Sequence, residues 1–118
     1  MDFQFNSKEP IYFQIVNYIK RKIVSGEFEE GEKLPSVRDL ARELKVNPNT
    51  IQRVYTELEN ENLVYTQRGL GKFVNGDFKN INKIRKEIST EILDNFIKEL
   101  RELGFTKDEV INIISERY

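Results

Sequence analysis

The sequence predicts a mainly α-helical fold with a small β-wing, followed by a two-helix C-terminal unit. Apolar residues recur at helical spacing in five segments. A proline between two asparagines, Asn47-Pro48-Asn49, parts two of those segments by only a few residues. Over residues 63–74 the period shortens to that of strands, around a glycine-containing tip.

The first helix is read from Ile11, Ile15, Ile19 and Ile23, with Pro10 near its first turn and Gly26 just past its end. An acidic connector, EFEEGEKLP, follows, and its Phe28 and Leu34 are expected to fold back onto the core. Ser36 is a good N-cap for a short second helix with Asp39 three residues on, and Val37, Leu40, Ala41 and Leu44 give it one apolar face. A proline inside a helix costs about 3 kcal/mol, because it removes a donor and clashes with the preceding turn. At the first helical position it loses nothing. Asn47 is therefore read as the N-cap of a third helix and Pro48 as its first residue, with Val46 and Ile51 spaced as a hydrophobic staple.

The third helix has two faces: Ile51, Val54, Tyr55 and Leu58 on one, Asn49, Gln52, Arg53 and Thr56 on the other. LVYT and KFV then read as short strands around the tip QRGLG. The domain is expected to end near residue 77, and residues 78–118 form a second unit. Ile81, Ile84, Ile88, Ile92, Phe96, Leu100 and Leu103 make one long helical stripe, stopped by Gly104. Thr106 and Glu109 set up a capping box for a last helix carrying Val110 and Ile114. These two helices hold too much apolar surface to stay exposed and too little to form a core alone. Packing against a second copy of the chain is expected, with packing on the first helix as the alternative.

Helix, short turn, helix and basic-tipped hairpin is the order of a winged helix-turn-helix. The major groove of B-DNA admits one α-helix, which must present its outward face and N-terminal turns to base edges. Asn49 and Gln52 have the side chains that pair with adenine, Arg53 the one that pairs with guanine, and Thr56 can touch a thymine methyl. Arg38 and Arg42 on the second helix, and Arg68 and Lys72 on the wing, suit phosphates or, for the wing, the minor groove. Gly69 and Gly71 would let the wing backbone come close. A polar stripe alone is what any solvated helix face looks like, and Asn47 caps its helix whatever the function. The joint order of turn, polar face and basic tip is what points to double-stranded DNA.

The stretch from EPIYFQIV to RGLGKFV, roughly residues 9–75, resembles the DNA-binding domain of the GntR family of bacterial transcription regulators, most clearly at GEKLPSVRDLA, VNPNT, ELENENLV and RGLGKFV. The tail of about forty residues resembles the YtrA-type branch, in which two helices mediate homodimer formation. The resemblance implies DNA contacts at Arg38, Asn49, Thr50, Gln52, Arg53, Arg68, Gly69 and Gly71, and Ser36, Asn47, Thr56 and Lys72 complete the expected DNA-binding set. It implies a homodimeric repressor reading an inverted repeat, near its own gene and often beside transporter genes. Many relatives carry a basic residue at the position of Gln52, so a different operator base is expected there; longer-tailed branches often have arginine at that of Pro48, and that contact does not carry over.

With no cysteine and no histidine in 118 residues, disulfides, the usual zinc sites and Ser-His or Cys-His catalytic pairs are excluded. No enzyme activity, cofactor or metal is expected. No apolar run approaches the ~20 residues that span a bilayer, and the start MDFQFNSKEP lacks a signal-peptide pattern; a cytoplasmic protein with no membrane partner is expected. The net charge of −1 does not by itself advertise a nucleic-acid ligand. Acidic residues, however, crowd the connector and the far end of the third helix, whereas Arg38, Arg42, Lys45, Arg53, Arg68 and Lys72 gather on the expected DNA face. Without a large ligand-binding domain, a small-molecule effector would have to bind in the dimer interface or between the two units. The rival reading is a winged-helix module that binds protein and no specific DNA; salt-sensitive binding to duplex DNA separates the two.

Overall fold

The computed structural model describes residues 3–118. Along them run α1 (Ile11–Val24), α2 (Val37–Leu44), α3 (Pro48–Asn60), β1 (Val64–Gln67), β2 (Gly71–Val74), α4 (Phe78–Glu102) and α5 (Lys107–Arg117). The chain divides into two compact units, the first ending at Arg85 and the second Lys86–Tyr118.

In the first unit α1 and α2 both pack on α3, and α3 also meets β1. Ile15, Ile19, Ile23, Leu40, Ile51, Val54, Tyr55, Leu58, Leu63 and Val74 are almost wholly shielded from solvent. Truncating one such side chain to alanine costs about 2–5 kcal/mol. Ile11 departs from expectation, being 44% exposed. A strict four-residue repeat drifts by roughly 40° per step against the 3.6-residue turn, so the buried stripe shifts to Ile15, Val16, Ile19, Ile23 and Val24 and leaves the first member outside. Gln14 is buried among them; its side chain accepts from Asn6 N at 3.0 Å and donates to the carbonyls of Asn6 and Glu9 at 2.9 and 2.7 Å, which pins the incoming chain to the start of α1. Leu34 is buried as expected, while Phe28 is only partly covered.

Each helix end is built by a local device. Ser36 accepts from Asp39 N at 3.0 Å and Asn47 from Asn49 N at 2.8 Å, with Pro48 at the first helical position of α3. Between them the chain reverses at Lys45, which is left-handed (φ 58°). Val46 N then reaches back to Ala41 O, the Schellman closure more often made with glycine. Asn62 (φ 59°) closes α3 in the same way, with Leu63 N donating to Leu58 O.

The wing is an antiparallel hairpin in the register Val64↔Val74, Tyr65↔Phe73, Thr66↔Lys72 and Gln67↔Gly71. Its strands lie within a residue of the expected ones. The connector supplies what amounts to a third strand: Lys33 bridges to Phe73, Leu34 N donates to Lys72 O, and Gly31 N and Val74 N bond across to Val74 O and Glu32 O.

α4 starts inside the first unit. Asn80 donates its amide to the carbonyls of Glu61 and Asn62 at 2.9 and 3.2 Å, and Ile84 is buried. In the second unit α4 stops with Gly104 (φ 88°) and Phe105 N on Leu100 O, and α5 opens with a complete Thr106–Glu109 capping box. No side chain from 86 to 118 is buried. Leu93, Phe96, Ile97, Val110, Ile111 and Ile114 instead line an open apolar groove of about 610 Å³. Among the described residues no helix is long and apolar enough to cross a membrane.

Candidate nucleic-acid interface

The inner face of α3 is anchored by Ile51, Val54, Tyr55 and Leu58, so its opposite face is turned outward by construction. Asn49, Gln52, Arg53 and Thr56 are all exposed there, and Thr50 is half-buried. Tyr55 fixes more than packing: its hydroxyl donates to Pro35 O at 2.6 Å, tying α3 to the residue before the Ser36 cap of α2. Burial, helped by the charge of Glu43, pushes this phenol above its ordinary range. The relation between the two helices, which sets how α3 is presented, therefore rests on a mainly aliphatic core around the Tyr55 ring and one short hydrogen bond.

Not every expected site residue has its polar atoms free. The Ser36 hydroxyl and the Asn47 carbonyl oxygen serve as caps, though the hydroxyl retains its proton and the Asn47 amide its two donors. Thr56 donates its hydroxyl to Gln52 O at 2.9 Å, which leaves its methyl as the group to offer. Arg53 lies over the ring of Tyr12, 4.0 Å from its centroid.

On the wing, Arg68 and Gly69 form the exposed tip with Leu70, where Gly69 (φ 80°) allows a three-residue loop and Leu70 N closes on Gln67 O at 2.9 Å. Lys72 differs from the other basic residues. Its ammonium is paired with Glu59 near the end of α3 and also donates to Thr66. Burial acts to raise the Glu59 carboxyl, but the hydrogen bonds from Lys72 and Thr66 and the lysine charge outweigh it, and the group sits below its ordinary range. Arg38, Arg42, Lys45, Arg53 and Arg68 have no carboxylate partner among the described residues. Among the described residues there is also no cluster of three or more acidic side chains placed to hold a metal ion.

Tyr12 and Glu59 were missed as contributors to this surface, and so was the buried Gln14 clamp at the start of α1. Tyr12 lies in a helix read only for its apolar face and Glu59 was read only as part of the acidic far end of the third helix, and their partners are 41 and 13 residues away in sequence. No local pattern reports such contacts.

A short turn between two capped helices, a polar outward helix face and a wing with a basic tip belong to one compact unit, and the family model for bacterial regulatory proteins of the gntR family matches residues 11–74. The chain belongs to the GntR family. It is a DNA-binding helix-turn-helix transcriptional regulator. The matched segment runs from the first residue of α1 to the last of β2, so the family's signature coincides with the helices and wing just described.

The relatives include regulators of similar length. The chain is 44% identical over 111 residues to the uncharacterized regulator YhcF of Bacillus subtilis, covering 94% of this chain and 92% of that one. It is 36% identical over 94 residues to the repressor YtrA of the same organism, covering 75% and 72%. A solved GntR-family regulator from Listeria monocytogenes superposes with a TM-score of 0.86 at 45% identity, over 95% of this chain and 98% of that one. The likeness thus extends through α4 and α5.

Proposed function

We infer that the protein is a homodimeric repressor that reads an inverted-repeat operator from the cytoplasm. The observation that carries the dimer is the second unit, which has no buried side chain: Ile92, Leu93, Phe96, Ile97, Ile111 and Ile114 on its helices and Leu103 in the turn between them are all exposed. A surface of this kind is stable in water only when covered. Ile88, Leu100 and Val110 are half-covered members of the same stripe, as is Ile81 nearer the start of α4, while Ile84 is already buried within the chain. Residues 1–77 then read DNA and residues 78–118 associate.

A two-fold dimer reads half-sites about 34 Å or a multiple apart. We assign base-edge contacts to Asn49, Thr50, Gln52, Arg53 and Thr56. Ser36, Arg38 and Asn47 take backbone contacts, and Arg68, Gly69, Gly71 and Lys72 the wing contacts. That the relative YtrA is a repressor supports the sign of regulation. Genes for a transporter are the proposed targets, and the apolar groove of the second unit is the proposed seat of a small-molecule effector. An effector acts there by favouring one arrangement of the dimer.

The test is selection of fragments from genomic DNA by the purified protein, retested across a salt series, with sedimentation in parallel. An enriched inverted repeat bound by a dimer supports the reading. A monomer at micromolar concentration refutes the dimer. Salt-insensitive or absent duplex binding favours the protein-interaction alternative. Effector candidates that never alter operator affinity in anisotropy screens remove the groove assignment.

A further inference from the structure

We propose that Tyr12, on the first turn of α1, is a positioning residue that holds Arg53 of α3 ready to read one base pair. The proposal rests on the DNA-reading face assigned above. The guanidinium carbon of Arg53 lies 4.0 Å from the ring centroid of Tyr12. A guanidinium stacked on an aromatic face uses its own flat face and leaves its edge, with its N–H donors, for other partners, and the distance is short enough for that arrangement. Among the described residues no hydrogen bond or ion pair takes up that edge, and Arg53 is exposed.

An unrestrained arginine at that position would lose much rotamer freedom on pairing with a guanine O6/N7 edge. Stacking removes part of that loss in advance. Tyr12 is itself held. It lies two residues before Gln14, whose buried amide clamps the chain entering α1, and α1 packs directly on α3. The ring is thus part of a fixed shelf beside the outward face of α3, supplied by a helix outside the helix-turn-helix pair.

The experiment is a double-mutant cycle in the full-length protein, read on the operator duplex enriched by wild type and on its single-base-pair variants. Tyr12→Leu is expected to weaken operator binding about two- to fivefold, the range of an exposed cation–π contact. The lost preference falls at the same base pair as in Arg53→Ala, and Tyr12→Phe, which keeps the ring, behaves as wild type. In the Arg53→Ala background Tyr12→Leu costs nothing more. Equal costs in both backgrounds, a preference lost evenly over all base pairs, or a Tyr12→Phe variant as weak as Tyr12→Leu would overturn the proposal.

Arginine side-chain NMR gives a second readout that needs no variant to fold. The Arg53 δ-protons of wild type should be shifted upfield by the ring; an ordinary shift refutes the stack. A wild type that enriches no duplex sequence refutes the underlying DNA reading, and that failure shows without any Tyr12 variant.

Discussion

Replacing Tyr55 by phenylalanine removes one oxygen atom from the centre of the first unit and tests what fixes α2 against α3. The side chain is fully buried, and its hydroxyl donates to Pro35 O at 2.6 Å. Loss of a hydrogen bond of this kind costs about 1 kcal/mol net, and more when the abandoned acceptor stays dry. Pro35 is half-buried, so water can reach its carbonyl in part, and a total of about 1–2 kcal/mol follows. A unit ending at Arg85 has an unfolding entropy near 0.18 kcal/mol/K, which converts this to a fall in Tm of about 6–11 °C.

The assay is thermal melting followed by circular dichroism, at one fixed protein concentration because association would shift Tm by mass action. A pH series adds an independent check. The phenol is raised from its ordinary 10.0 by burial and by Glu43. The folded state therefore holds this proton more tightly than the unfolded chain does. Stability from that difference is fully present below pH 10 and is lost as pH rises above it. Wild type should lose stability above pH 10, and the gap to Tyr55→Phe should close there. A Tm change under about 2 °C, with a gap constant from pH 7 to 11, would refute the role given to this hydroxyl.

Three further perturbations probe other parts. Glu59→Gln removes the carboxylate from the Lys72 ammonium, and the freed charge is expected to steepen the salt dependence of DNA binding by about 0.9 in log–log slope per half-site; an unchanged slope in anisotropy titrations would show that Lys72 meets no phosphate. Asn47→Ala deletes the cap on Asn49 N and should destabilise the protein by about 1 kcal/mol in urea melts, with Asn47→Asp near wild type; equal losses in both variants would contradict a capping role. Phe96→Glu puts a charge on the exposed stripe of α4 and should convert the dimer to monomer in sedimentation at unchanged helix content; a persistent dimer would move the interface elsewhere.

What could be read from the residues and what could not follows a physical line. Asn47-Pro48, Ser36 with Asp39, and Thr106 with Glu109 announce helix starts because a cap is a contact between residues two or three apart. The hairpin is equally visible, since Gly69 marks the one loop position that needs a left-handed backbone. The α2–α3 reversal has no such marker, because a lysine, Lys45, occupies the left-handed position and packing on both sides enforces it. Ile11 was misjudged because an exact four-residue repeat is not the helix period. The outward polar face of the candidate site was legible. Its tuning was not, because Tyr12 over Arg53 and Glu59 on Lys72 join residues that only the folded chain brings together.

The strand-like connector has a consequence for how the molecule is made. Gly31, Glu32 and Leu34 bond to residues 72–74, some forty positions later in the chain. The helices between them depend on local contacts and form quickly, whereas this pairing must close a long loop and so comes late. During synthesis the segment leaves the ribosome well before its partner strand exists. Until then its backbone is open to water and to neighbouring chains. The run Glu29, Glu30 and Glu32 keeps that waiting edge charged and hydrated. The acidity of the connector, which counts against an anionic ligand, is in this light a safeguard for the nascent chain.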